Sequence, residues 1–226
     1  WLTPVFRDDT TWDMARDFVP IIAPTTTPNV LVVHLSLPVK SIQEFIAFAK
    51  AKPGALNYAS GSTAASAHIA AELFKHMAGV DLVRVNYKGT GPAMTALLSG
   101  EVQVVYPTAG TAMPHIKAGR LRALGVTSAQ PSALAPGLPT VASAGLPGYE
   151  SSSLTGVFAP AKSAPAIVRR LYDEMLRVLS TPDVKEKLFS AGLEVVALSP
   201  AEFTTFIKGE VTRMEVMVKR AGLKEK

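Results

Sequence analysis

The sequence predicts an α/β fold with mainly parallel sheets. Short apolar runs alternate with amphipathic helical stretches through most of the chain, capping residues and glycines separate them, and the loops after the runs are small or polar. A chain of 226 residues, 48% of them apolar, holds enough material for one large domain or two smaller lobes.

Residues 31–35 read as a buried strand, with Leu31, Val32, Val33 and Leu35 around His34. Ser41 caps the next helix and Glu44 stands three residues on, the spacing of a capping box. Ile42, Phe45, Ile46 and Ala49 form its apolar stripe, and Pro53-Gly54 ends it. Residues 55–59 are the next strand. Small residues follow, then a helix with Ile69, Leu73 and Met77 along one side that stops at Gly79. In the strand at 82–87, Val83, Val85 and Tyr87 alternate with Arg84 and Asn86. A glycine-rich turn, Lys88-Gly89-Thr90-Gly91, precedes a helix opened by Pro92 and closed by Gly100. Residues 102–106 are a strand, 112–118 a short helix and 121–127 a further strand. Residues 130–148 carry Pro131, Pro136, Pro139 and Pro147 with Gly137, Gly145 and Gly148, and read as an irregular connector between lobes. A short strand at 156–159 leads to three final helices. Ser163 caps the first, which runs to Ser180. Thr181-Pro182 opens the second, which ends at Gly192. Ser199 and Glu202 open the third as a capping box, with Phe203, Phe206, Ile207, Val211 and Met214 on its buried side. A strand at 193–198 separates the last two.

Composition removes several classes of function. The absence of cysteine excludes disulfides, thiolate nucleophiles and zinc–thiolate sites. The formal net charge of +5 suits acidic ligands. With no basic run of five or more, nucleic acid is not an expected partner. The longest apolar stretch, 30–39, is interrupted by His34, Ser36 and Pro38, so the chain is not expected to insert in a membrane. Trp1-Leu2-Thr3-Pro4 does not read as a signal peptide.

In sheets of this kind ligands bind beyond the carboxyl ends of strands. Three loops occupy that place, at 60–66, 88–91 and 107–110. The first, Ser60, Gly61, Ser62, Thr63, Ala64, Ala65 and Ser66, has no bulky side chain and runs straight into a helix. The first N–H groups of a helix have no partner inside it, and the helix dipole adds partial positive charge. That combination cradles an anion, with an ordinary helix cap as the equal alternative on these residues alone. Lys88 reads as a solvated lysine that raises the local potential. Thr90 and Thr108 offer hydroxyl donors or turn chemistry, and Tyr87 and Tyr106 read as packing residues with a polar tip. His68 is expected to brace the first loop through a hydrogen bond. His68, Glu72 and His76 recur every fourth residue and read as a solvated polar face, with no metal site. None of the three loops contains Asp or Glu, and no G-x-S-x-G, H-E-x-x-H or P-loop pattern occurs, so binding is favoured over catalysis. No cofactor is expected.

Four segments in order resemble one family: NYASGSTAASAH at 57–68, VNYKGTGPAMTALLSGEV at 85–102, MPHIKAGRLRALGVTS at 113–128, and LPTVASAGLPGYESSSLTGVFAPAKSAP at 138–165. The chain resembles the Bug family, the extracytoplasmic solute-binding proteins of tripartite tricarboxylate transporters, over nearly its whole length. The resemblance implies a two-lobed, type II periplasmic-binding-protein-like clamshell. One lobe would hold residues 31–151; residues 1–30 and 152–226 would form the other, with the two crossings as a hinge. The loop at 60–66 would give backbone donors to a ligand carboxylate. Tyr87, Lys88, Gly89 and Thr90, with Pro107, Thr108 and Ala109, would complete that side of the cleft. The implied protein is periplasmic, captures a small carboxylate and delivers it to integral membrane transporter subunits. The same fold also serves as a sensing module for a membrane receptor kinase. Three departures stand out. The family's N-terminal βα segment, with its own glycine-rich loop, is not found in this sequence. Ser62, Thr63 and Ala64 stand where glycines are usual. Pro107-Thr108 replaces a common Asp-Asn whose Asp pairs with a ligand amino group, which points to a carboxylate without one.

Overall fold

The computed structural model describes residues 1–222 and 224. The chain forms two compact units, Trp1–Thr26 with Leu154–Lys226, and Thr27–Ser153. Two short helices open the first unit, α1 (Thr3–Phe6) and α2 (Met14–Asp17), followed by β1 (Phe18–Pro28). The second unit contains β2 (Val30–Val33), α3 (Ile42–Ala51), β3 (Leu56–Ser60), α4 (Ser66–Ala78), β4 (Leu82–Asn86), α5 (Thr90–Ser99), β5 (Val104–Val105), α6 (Ala109–Lys117) and β6 (Arg122–Val126). The chain then returns through β7 (Ser152–Pro160), α7 (Pro165–Leu179), α8 (Pro182–Ser190), β8 (Glu194–Leu198) and α9 (Pro200–Ala221).

The second unit is built on a five-stranded sheet in the order β4-β3-β5-β2-β6. Strand β3 runs parallel to β4 and β5, whereas β2 runs antiparallel to β5 and β6. Four strands therefore share one direction and β2 runs against them, so the sheet is mixed. The reason is local: β2 arrives from the other unit and not from a helical crossover, so no βαβ unit fixes its direction. All four β2 residues are buried, as a central strand covered on both faces requires. Phe45, Tyr106 and Tyr149 gather around Phe74 in the core, with ring centroids 5.6–6.0 Å from it. The irregular segment at 130–148 packs within this unit and does not link the two. Val126 donates to Pro139 and accepts from Val141, while Ala135, Val141 and Leu146 are buried.

The first unit holds the three-stranded sheet β7-β1-β8. Ile21, Ile22, Ala159 and Leu179 gather the partly buried side chains of α7 and α8, and Ala23, Phe203 and Ile207 gather those of α9. The central strand β1 contains Pro20 and Pro24, which the sequence reading did not assign to a strand. Proline lacks the N–H that a central ladder needs. The pairing with β8 slips between Ala23 and Thr25, so Pro24 falls at an irregularity that tolerates it.

Each predicted strand and helix is present, with shifted ends. Glycine 89 is the N-cap of α5, which puts Pro92 third in the helix, and α7 is capped by Ala164 and not Ser163. Ser199 and Glu202 form both bonds of the capping box. Ser41 accepts from Glu44 N–H, but the Glu44 carboxylate turns to Lys40 N–H.

Candidate functional site

Within the second unit, β3, β4 and β5 run in one direction and each is followed by a helix, so the N-termini of α4, α5 and α6 open beyond the same edge of the sheet. Ala65, Gly89 and Thr108 are their N-caps, and none makes a side-chain capping bond. By contrast Ser41, Asp13 and Ser199 cap their helices. The helix-cap alternative for Ser60–Ser66 thus fails, because an alanine stands at the cap. The first turn of α4 therefore has no side-chain cap from its N-cap residue.

Specific bonds draw the three loops together. Tyr87 N–H donates to Ser60 C=O at 2.9 Å. A Cβ added to Gly61 would lie 3.4 Å from Gly89 Cα, so the two glycine backbones nearly touch. On the other side stands Asn29, fully buried. Its Nδ2 donates to Tyr106 C=O at 2.6 Å and to Ser66 Oγ at 3.4 Å, while Val30 N–H donates to Pro107 C=O. Thr127 closes the arrangement with bonds to Asn29 N–H and C=O. Sequence reading missed Asn29; its one signal was a lone amide ahead of a fully apolar strand.

The first loop is shaped by a turn. Ala65 N–H donates to Ser62 C=O, and Ala64 between them has φ +63°, the left-handed region. Ala64 N–H donates to His68 Nδ1 at 3.2 Å, the brace expected from sequence. Nδ1 can accept only in a neutral ring whose proton sits on Nε2. From the neighbouring strand, Arg84 Nε donates to Ser60 Oγ (2.8 Å), Nη2 to Gly61 C=O (3.1 Å) and Nη1 to Thr63 Oγ1 (3.3 Å).

Two expectations are corrected here. His68 and Glu72 do not form a solvated face; they are 3% and 4% exposed. Their side of α4 lies on β3, where the Tyr58 hydroxyl donates to Glu72 and Lys75 Nζ approaches the same carboxylate oxygen at 2.9 Å. A buried carboxylate persists because it is paired and hydrogen-bonded. Val83 is 44% exposed, because β4 is an edge strand and turns its Arg84 side toward the loop. Lys88, Thr90 and Ser62 are exposed, and Pro107 and Ala109 are buried. Tyr87 is half-buried and its hydroxyl donates to Glu101, which raises its pKa. Tyr106 is wholly buried with no partner for its hydroxyl among the described residues. Thr108 shares a hydroxyl hydrogen bond with Thr111 at 3.1 Å.

Comparison with known proteins identifies the lineage. The family model described as "Tripartite tricarboxylate transporter family receptor" matches residues 2–223. The chain belongs to this receptor family. Among curated relatives, protein BugT of Bordetella pertussis is 32% identical over 215 residues, 95% of this chain and 66% of BugT. The chain spans 61% to 68% of the length of the curated relatives that share 32% to 35% of its residues over nearly its whole length. Two solved structures share the fold. Rpa4515 of R. palustris, solved with adipate, is 35% identical with a TM-score of 0.85, covering 93% of this chain and 71% of its own. MatC of Rhodopseudomonas palustris, with bound malate, is 28% identical with a TM-score of 0.79, covering 89% of this chain and 69% of its own. The chain therefore has the two-lobed α/β fold of periplasmic binding proteins. Among its described residues no helix is long and apolar enough to cross a membrane.

Proposed function

We propose that this receptor chain binds a small carboxylate outside the cytoplasm and presents it to the integral membrane subunits of a tripartite tricarboxylate transporter. The observation that carries the reading is the meeting of three helix N-termini, none with a side-chain cap, in loops without a single carboxylate. Backbone N–H groups and helix dipoles attract an anion there, and nothing repels it. Ser60 to Ser66 supply the main cradle, Tyr87 to Thr90 and Pro107 to Ala109 its flanks, and exposed Lys88 raises the potential during capture. The adipate and malate of Rpa4515 and MatC agree with this ligand class. Pro107 brings no acidic group, so a ligand ammonium would enter unpaired, and carboxylates without an amino group are favoured.

The three loops contain no Asp, Glu, His or Cys, which favours binding over turnover. Thermal unfolding with adipate, malate, citrate and glutamate tests the proposal. A ligand at a hundred times its Kd stabilises the folded state by about 2.7 kcal/mol. At least one of the first three acids is expected to raise the Tm by several degrees, and glutamate is expected to do less. No shift with any of them overturns the reading.

A further inference from the structure

We propose that Arg84 is a positioning residue that aims the Ser62 amide into the carboxylate cradle, an inference that rests on the ligand class proposed above. Parallel pairing sets Tyr58 opposite Arg84 and Ser60 opposite Asn86, so Tyr58, Ser60 and Arg84 share one face of the sheet. From there the guanidinium reaches three residues of the loop through three different nitrogens: Ser60 Oγ, Gly61 C=O and Thr63 Oγ1. A planar fork fits such a divergent set of acceptors; an ammonium on a flexible stem does not.

The bond to Gly61 C=O has a directional consequence. In a trans peptide the C=O and the following N–H point opposite ways. Pinning Gly61 C=O toward Arg84 turns the Ser62 N–H away from the guanidinium. The far half of the loop is held separately, by Ala64 N–H on His68 Nδ1 and by Ala65 N–H on Ser62 C=O. Arg84 thus holds Ser60, Gly61 and Thr63, while His68 holds Ala64. Preorganised donors bind an anion without the entropy of ordering the loop at that moment.

The test compares Arg84→Gln and Arg84→Lys in the full chain, with Arg122→Gln as control. Arg122 makes similar bonds to carbonyls, those of Leu37 and Val39, away from the loops. Calorimetric titration with adipate and malate is paired with the backbone NMR order parameter of the Ser62 amide in ligand-free protein. Both Arg84 variants are expected to bind about tenfold to a hundredfold more weakly, since residues ordered on binding subtract from affinity. The Ser62 order parameter is expected to fall in both. Arg122→Gln is expected to lower the Tm while leaving affinity within about twofold. Binding by Arg84→Lys at the wild-type level overturns the proposal, because charge and not direction would then matter; so does an unchanged order parameter at Ser62. If the wild-type protein binds neither acid, the ligand reading falls while the order parameter still decides the role of Arg84. If Arg84→Gln fails to fold, Arg84→Lys carries the comparison alone.

Discussion

Ala64 concentrates the local cost of the site. Its φ of +63° places an L-residue in the left-handed region, at the third position of a turn closed by Ala65 N–H on Ser62 C=O. Glycine takes that conformation freely, whereas a Cβ there costs about 1–2 kcal/mol. Glycine in turn gives the unfolded chain more freedom, worth about 0.5–1 kcal/mol. The difference predicts that Ala64→Gly stabilises the protein by about 0.5–1 kcal/mol, read as a Tm rise of about 1–4 °C. A fall in Tm would show that the Cβ makes contacts worth more than the strain. The usual glycines of this loop, inferred from resemblance, acquire a physical reason at this position. His68 was also legible, because a histidine early in a helix can reach back to the loop before it. Arg84 and Asn29 were not. Both act across strand pairings that join residues over 20 apart in sequence, and no local pattern encodes such a pairing.

At the scale of elements, the sequence specified helices and parallel strands well, because each has its own cap, stripe and stop. It missed β1, where Pro20 and Pro24 argue against a central strand until the irregularity beside Ala23 is seen. It also placed the 130–148 segment between lobes, since proline and glycine report irregular backbone but not what that backbone packs on. Contact between two loop elements yields the next prediction. Gly61 faces Gly89 Cα with 3.4 Å for a Cβ, which is ordinary van der Waals contact. Gly61→Ala therefore fits with little change. Gly61→Val adds two γ-carbons that must push β3–α4 and β4–α5 apart. Overpacking of this sort costs about 1–3 kcal/mol, and it would move the N-termini of α4 and α5 relative to each other. Gly61→Val is expected to weaken carboxylate affinity more than tenfold while Gly61→Ala stays within about threefold, measured by calorimetric titration. Equal affinities in the two variants would show that the loops need not touch.

Over the whole molecule, the pH dependence of stability is set on the alkaline side by buried phenols. Burial first, then the Glu72 carboxylate, pushes the Tyr58 pKa far above its ordinary value of about 10. Burial likewise holds Tyr106 well above that value. A folded pKa raised above the unfolded one gives stability that is complete below pH 10 and is lost as pH climbs toward the folded value. Above pH 10 the unfolded chain releases both protons while the native state keeps them. Stability then falls with a slope approaching about 1.4 kcal/mol per pH unit for each phenol. On the acid side, Arg16 lowers the Asp17 pKa to about 2, but this solvated surface pair adds little. Urea unfolding from pH 8 to 11.5 is expected to show a plateau and then a steep decline, with Tyr58 and Tyr106 ionising only as the chain unfolds. Tyr58→Phe tests the assignment. It leaves buried Glu72 without its hydroxyl donor, which lowers stability at neutral pH by about 1–3 kcal/mol. It also removes one titrating phenol, so the alkaline decline should become shallower by about 1.4 kcal/mol per pH unit at most. An unchanged slope would place the alkaline transition outside the polar cluster beneath α4.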